Sequence, residues 1–116
     1  MKQELRAAYD RERQAAATAF GIGDFDNAFR HLERAHILGQ RSTGAHVGAH
    51  VAMLRVGWRR QDAREVFGQL TRIVAATLFT RLWVPLGNTG GANVSATKPM
   101  PLPEDLLDLM REDGIV

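Results

Sequence analysis

The chain has 116 residues, no cysteine, 15 Lys plus Arg against 13 Asp plus Glu, and 45% hydrophobic residues. A chain of this length buries roughly two-thirds of its unfolded surface, so one domain over residues 1–116 is expected, without disulfides, thiolate metal sites or cysteine nucleophiles. The pI near 9.7 reflects 13 arginines against 2 lysines, yet the net charge is only +2 because acids are interleaved with them. A nucleic-acid binder presents a basic stripe instead, so no nucleic-acid partner is expected.

The first residues are charged and carry no apolar signal segment, and nothing approaches the ~20 apolar residues of a membrane span. A cytoplasmic protein with no membrane partner is expected. Leu5, Ala8, Tyr9, Ala15, Ala16 and Phe20 recur at helical spacing and predict a first helix over 3–20. After the break at 21–23, Asp24 is a good N-cap for a second helix to about Leu38, with Gly39 just past its end. Ser42 or Thr43 can cap a third helix from about Ala45 to Trp58, and a fourth runs from about Asp62 to Phe79.

The two halves of this region correspond in register: Asp24 with Asp62, Ala28 with Val66, Phe29 with Phe67, Leu32 with Leu70, and Ala35 with Ile73. That predicts an all-α fold of two stacked antiparallel helical hairpins over 1–80. Residues 20–38, with Gly23, Asp24, Ala28, Phe29, Leu32 and Ala35 at the hinge and second helix, resemble a tetratricopeptide repeat hairpin. The resemblance implies geometry alone. Residues 81–103 are rich in Gly, Asn and Pro and predict a long loop laid over the bundle, with Val84, Val94, Met100 and Leu102 as apolar anchors. Pro103, Glu104 and Asp105 start a short last helix over 104–112.

All four histidines, His31, His36, His46 and His50, fall within twenty residues of one another on the second and third helices. On the third helix His46, His50, Met53 and Leu54 share one face, which should be buried among Val47, Ala49 and Val56. On the second, Glu33 and His36 form a Glu-x-x-His pair that puts carboxylate and imidazole on one stripe. The turn between the helices centres near Arg41, so His36 and His46 should face each other at one level, with His50 and Glu33 a turn deeper. Glu33, His36, His46 and His50 are therefore the candidate ligands of a transition metal, zinc or copper foremost; four protein ligands would close the site and three would leave a position open. His31 lies round the helix as an outer ligand or hydrogen-bond partner, and Met53 is either a soft axial ligand for copper or core filling. A di-iron bundle needs a second Glu-x-x-His, which only a symmetric homodimer would supply.

The 87–95 run lacks a P-loop pattern; it reads as glycine turns capped by Asn and Ser side chains that close over the histidines. Arg55, Arg59, Arg60 and Arg64 form either a patch for an acidic partner or a solvated helix end. No Gly-x-Ser-x-Gly elbow or catalytic acid pair is present.

The segments His31-Leu-Glu-Arg-Ala-His-Ile-Leu-Gly-Gln40 and Gly87-Asn-Thr-Gly-Gly-Ala-Asn-Val-Ser95 resemble a small bacterial family of uncharacterised proteins of about this length. Some of its members are encoded near heavy-metal resistance genes, which implies metal handling by association. The leading expectation is a helical metal-binding protein with a loop lid, acting in sequestration, sensing or delivery. A tetratricopeptide-like module for a protein partner, or a homodimer, with purely structural histidines is the alternative. An enzyme using the metal to activate water would need an open coordination position, with Glu33 as base rather than ligand.

Overall fold

The computed structural model describes residues 1–79, 87–95 and 98–114, so the parts of the loop expectation that rest on Val84 and Pro85 lie outside the described residues. Among the described residues the chain is all-α, with α1 (Gln3–Gly21), α2 (Phe25–Gly39), α3 (Thr43–Arg59), α4 (Ala63–Phe79) and, after a gap, α5 (Glu104–Glu112). α1 packs on α2 and α3 on α4 as hairpins, and α2 lies against α3 to stack them. The helix starts follow local chemistry. Asp24 accepts a hydrogen bond from Asn27 N at 3.3 Å, and Asp62 accepts one from Glu65 N at 3.1 Å, each satisfying a donor that the first turn leaves open. α3 starts two residues earlier than its pattern suggests, because Ser42 takes the N-cap with extended backbone and its carbonyl accepts from His46 N at 2.8 Å; its side chain makes no cap bond.

Two apolar clusters hold the stack. Leu5, Ala8 and Tyr9 of α1 meet Ala35 and Leu38 of α2, Ala45 of α3, and Leu106 and Met110 of α5. Ala16 and Ala19 meet Ala28, Leu32, Met53 and Val56. Alanines let the helix axes approach closely, while each fully buried leucine such as Leu32 or Leu38 contributes roughly 1.5–3 kcal/mol. Met53 is completely buried in this second cluster, so its role is core filling.

Gly39 is the last residue of α2 rather than a residue beyond it, and its backbone is not left-handed. What requires glycine there is space: a Cβ would stand 2.8 Å from Ala45 Cβ and 2.9 Å from the Tyr9 ring. Tyr9 donates its hydroxyl hydrogen to Ala45 O at 2.7 Å, so one side chain of α1 pins the turn that brings α2 and α3 together.

The middle of α2 is tied electrostatically. Glu12 accepts from Arg34 Nε at 2.7 Å and pairs with His31 Nδ1 at 2.8 Å, and Arg34 also pairs with Asp105 of α5. Burial opposes ionisation of Glu12, but Arg34 and His31 outweigh it and hold the carboxyl below its usual range.

The correspondence between the hairpins breaks at α4. Leu32 is 2% exposed, whereas its counterpart Leu70 is 47% exposed and Phe67 is 69% exposed. α2 is sandwiched between α1 and α3, while α4 packs mainly on α3 among the described residues. The inward face of α4 carries Glu65, Gln69 and Ala76 instead.

Candidate metal centre

The α2–α3 hairpin brings His36, His46 and His50 together. Their Nε2 atoms form a near-equilateral triangle with edges of 3.0 Å (His36 to His46), 3.1 Å (His36 to His50) and 3.1 Å (His46 to His50). All three rings are buried, at 4%, 7% and 2% exposure. His46 and His50 are one turn apart on α3, and His36 faces them from α2 at the same distance from the connecting turn.

The hydrogen bonds behind the rings assign their protons. His36 Nδ1 lies 2.7 Å from Asn88 O, a pure acceptor, so Nδ1 carries the hydrogen and Nε2 a lone pair. His50 Nδ1 lies 2.6 Å from Gln69 Oε1. The orientation of that amide is set by its other end, since Gln69 Nε2 donates to Glu65 Oε2 and to Gly90 O, both at 2.8 Å. His50 Nδ1 is therefore a donor too, and its Nε2 is bare. Two bare nitrogens thus face each other at 3.1 Å, and His46 has at most one hydrogen at Nε2 to offer either of them. In a buried site such lone-pair contacts are repulsive unless a cation lies between them.

A metal ion fits that centre. At metal–nitrogen distances of about 2.0–2.1 Å, edges of 3.0–3.1 Å would subtend about 90–100° at an ion, so the three nitrogens could hold it from one side. Each of the two assigned histidines donates its remote N–H to a carbonyl oxygen, the arrangement that orients metal-bound imidazoles and raises their basicity.

Residues 87–95 lie directly over this centre. Asn88 is 1% exposed and organises the segment: its Nδ2 donates to Ser95 O and Lys98 O, its Oδ1 accepts from Gly90 N, and its own carbonyl meets His36. Gly90 O accepts from Gln69, Ala92 N donates to Glu65 Oε2, and Arg72 Nη2 donates to Val94 O. Gly90 sits with φ +84°, and a Cβ there would stand 2.6–2.8 Å from three atoms of the His36 ring. The asparagine caps the backbone as the sequence suggests, and the glycine lets the chain lie flat on the imidazole.

Burial pushes the three imidazoles towards neutrality, the form that binds metal. His46 is lowered to about 4 by burial, and His50 to about 4 by burial and by His46, against the opposing bond to Gln69. His36 is held well below the usual range by burial and by His50 and His46, with Asn88 opposing. Beside the cluster, Glu33 is half-buried, and its carboxyl is raised by burial and by Glu65, with the Thr89 hydroxyl acting the other way.

Of the four candidate ligands, the three histidines offer ligand atoms within 4.8 Å of one another; Glu33 is not in that group. His31 is turned to Glu12 and stands apart from it. Three members of the arginine run have partners within the chain: Arg55 and Arg59 lie 5.4 and 5.3 Å from the Phe20 ring centre, and Arg60 pairs with Asp26 at 3.0 Å; Arg64 is exposed. Gln69, Glu65 and the Asn88 carbonyl are the functional groups the sequence reading missed. Glu65 and Gln69 are spaced to share one face of α4, but that signal is weaker than the apolar run beside it.

The fold and this cluster define an all-α protein of stacked helical hairpins with a buried three-histidine site that could hold a metal ion. Residues 3–110 match the family described as a protein of unknown function, DUF3703, and the chain belongs to that family. No curated protein and no solved structure matches the chain. Among the described residues no helix is long and apolar enough to cross a membrane.

Proposed function

We propose that this protein binds one transition-metal ion, zinc or copper, through His36, His46 and His50, and that it serves in cytoplasmic metal handling or resistance rather than catalysis. The observation that carries the reading is the triangle of Nε2 atoms at 3.0–3.1 Å in which two nitrogens are bare acceptors. Neutral imidazoles are soft enough for zinc and copper, and the choice between them follows availability as much as affinity. Glu33, one turn before His36, closes the position opposite the three nitrogens by turning its side chain inward when the ion is present. Its half-buried carboxyl beside Thr89 and Glu65 supports this role. Residues 87–95 are the lid, held shut through Asn88, Gly90 and Ala92.

The test is elemental analysis of untagged protein purified without chelator, with melting curves before and after chelation. About one equivalent of metal and a lower melting temperature without it are expected, because an ion bound only by the folded state stabilises it. The double variant His46→Gln/His50→Gln should contain no metal, and Glu33→Gln should bind it more weakly. Metal-free protein whose melting temperature does not respond to added zinc or copper would overturn the reading.

A further inference from the structure

α4 turns its polar side inward and its apolar side outward. Glu65 and Gln69 point to the histidine site and the 87–95 segment, and Arg72 reaches inward to Gly68 O and Val94 O. On the opposite face Phe67 is 69% exposed, Leu70 47%, Val74 60% and Leu78 63%. The stripe continues to Trp58 at the end of α3, 70% exposed, across an open, mostly apolar cleft of about 400 Å³ lined by Trp58, Ala63, Val66 and Phe67, with Gln61 and Asp62 at its polar side.

We infer that this face is the interface of a homodimer, in which α4 packs antiparallel on α4 of a second copy about a two-fold axis near residues 72–73. Charge selects this occupant. From Phe67 to Leu78 the one charged residue is Arg72, and it is turned inward, so this length of the face offers nothing to complement an acidic or basic partner; charge enters only at the cleft end, with Asp62 and the exposed Arg64. A helix that lies on a lipid surface is flanked by several Lys and Arg on its polar side; opposite the stripe α4 instead carries Glu65, Gln69 and Arg72, each bonded to the 87–95 segment. An uncharged face is self-complementary, because a two-fold axis then brings no like charges together.

Spacing and area agree. Phe67, Thr71, Val74 and Leu78 alternate four and three apart, the seam that packs one helix on another, and the antiparallel register sets Phe67 against Leu78 and Thr71 against Val74. The exposed parts of Trp58, Phe67, Leu70, Val74 and Leu78 amount to roughly 1,100 Å² over two copies, taking about 150–250 Å² for each whole aromatic and somewhat less for each aliphatic side chain. The Ala and Thr positions between them bring the total into the ~1,200–2,000 Å² of stable interfaces. The histidine site lies on the other side of α4, so a failure of the metal reading leaves this inference standing, and the reverse.

Sedimentation velocity on the full chain tests it. The expected result is a species of twice the chain mass, converted to one of single mass by Val74→Arg with the helical circular dichroism unchanged. Because the chain has no cysteine, Thr71→Cys gives a second readout that does not depend on a disruptive variant. A short bismaleimide should link two copies of Thr71→Cys and should not link Thr18→Cys, on the exposed face of α1. The inference is overturned if the unmodified chain is monomeric up to about 100 μM, a range that even weak specific interfaces reach. It is equally overturned if the dimer survives Val74→Arg, if Thr71→Cys links no better than Thr18→Cys, or if the chain stays monomeric and binds lipid vesicles instead.

Discussion

Gln69→Leu separates a designed metal centre from a chance meeting of histidines. Gln69 is completely buried and makes three hydrogen bonds, accepting from His50 Nδ1 at 2.6 Å and donating to Glu65 Oε2 and Gly90 O at 2.8 Å each. Leucine has a similar volume and none of these partners, so the change leaves an imidazole N–H and a carbonyl unsatisfied and takes one of two hydrogen bonds from Glu65 Oε2, which keeps the bond from Ala92 N. An unsatisfied buried group costs about 1–3 kcal/mol, and with partial relaxation the two together should cost about 2–5 kcal/mol of metal-free stability. That is a large part of the ~5–15 kcal/mol available to a domain. The same change frees the His50 ring to rotate and to carry its hydrogen on Nε2. Loss of such an outer partner weakens metal binding by about 10–100-fold. Denaturant melts of the chelated protein read the first effect, and competition against a chromophoric chelator reads the second. If Gln69→Leu lowers stability as calculated yet binds zinc or copper as tightly as the unmodified chain, the amide does not orient a ligand and the reasoning fails.

Two further changes probe the site from other sides. His46 and His50 are held at about 4, below the usual 6.5 for histidine, so between those values the unfolded chain binds more protons than the folded one. Stability of the metal-free protein should therefore fall as pH drops from 6.5 towards 4, by up to about 1.4 kcal/mol per pH unit for each histidine, with bound metal delaying the fall; a melting temperature flat across that window would contradict the burial that sets these values. Gly90→Ala puts a Cβ 2.6 Å from the His36 ring on a backbone with φ +84°, adding about 1–2 kcal/mol of strain to the displacement of a ligand. It should lower both the melting temperature and metal affinity. Gly44→Ala, where a Cβ would meet nothing within 4 Å, should do neither.

How much could be read in advance differs between the elements for physical reasons. Helix periodicity, the Asp24 and Asp62 caps and the breaks between helices depend on neighbours within four residues, so the sequence by itself determined five helices and their hairpin order. It also set His36 and His46 at one level with His50 a turn deeper on the same stripe, because two antiparallel helices of fixed rise joined by a short turn leave little freedom in register. Glu33 shares that arithmetic, yet its flexible side chain is not gathered with the histidines, since spacing places a Cβ and not a carboxylate. Only the tertiary structure decided which face of α4 turns inward. By pattern Phe67 and Leu70 matched the partly buried Phe29 and the buried Leu32 of the first hairpin, but the histidine cluster needs an acceptor and the 87–95 backbone needs donors and acceptors. Glu65 and Gln69 supply them, and leaving those buried groups unpaired would cost more than leaving an apolar stripe in water. The partners of that choice, Asn88 O and Gly90 O, are backbone atoms more than fifty and about twenty residues away from His36 and Gln69, respectively, and no local pattern encodes their position.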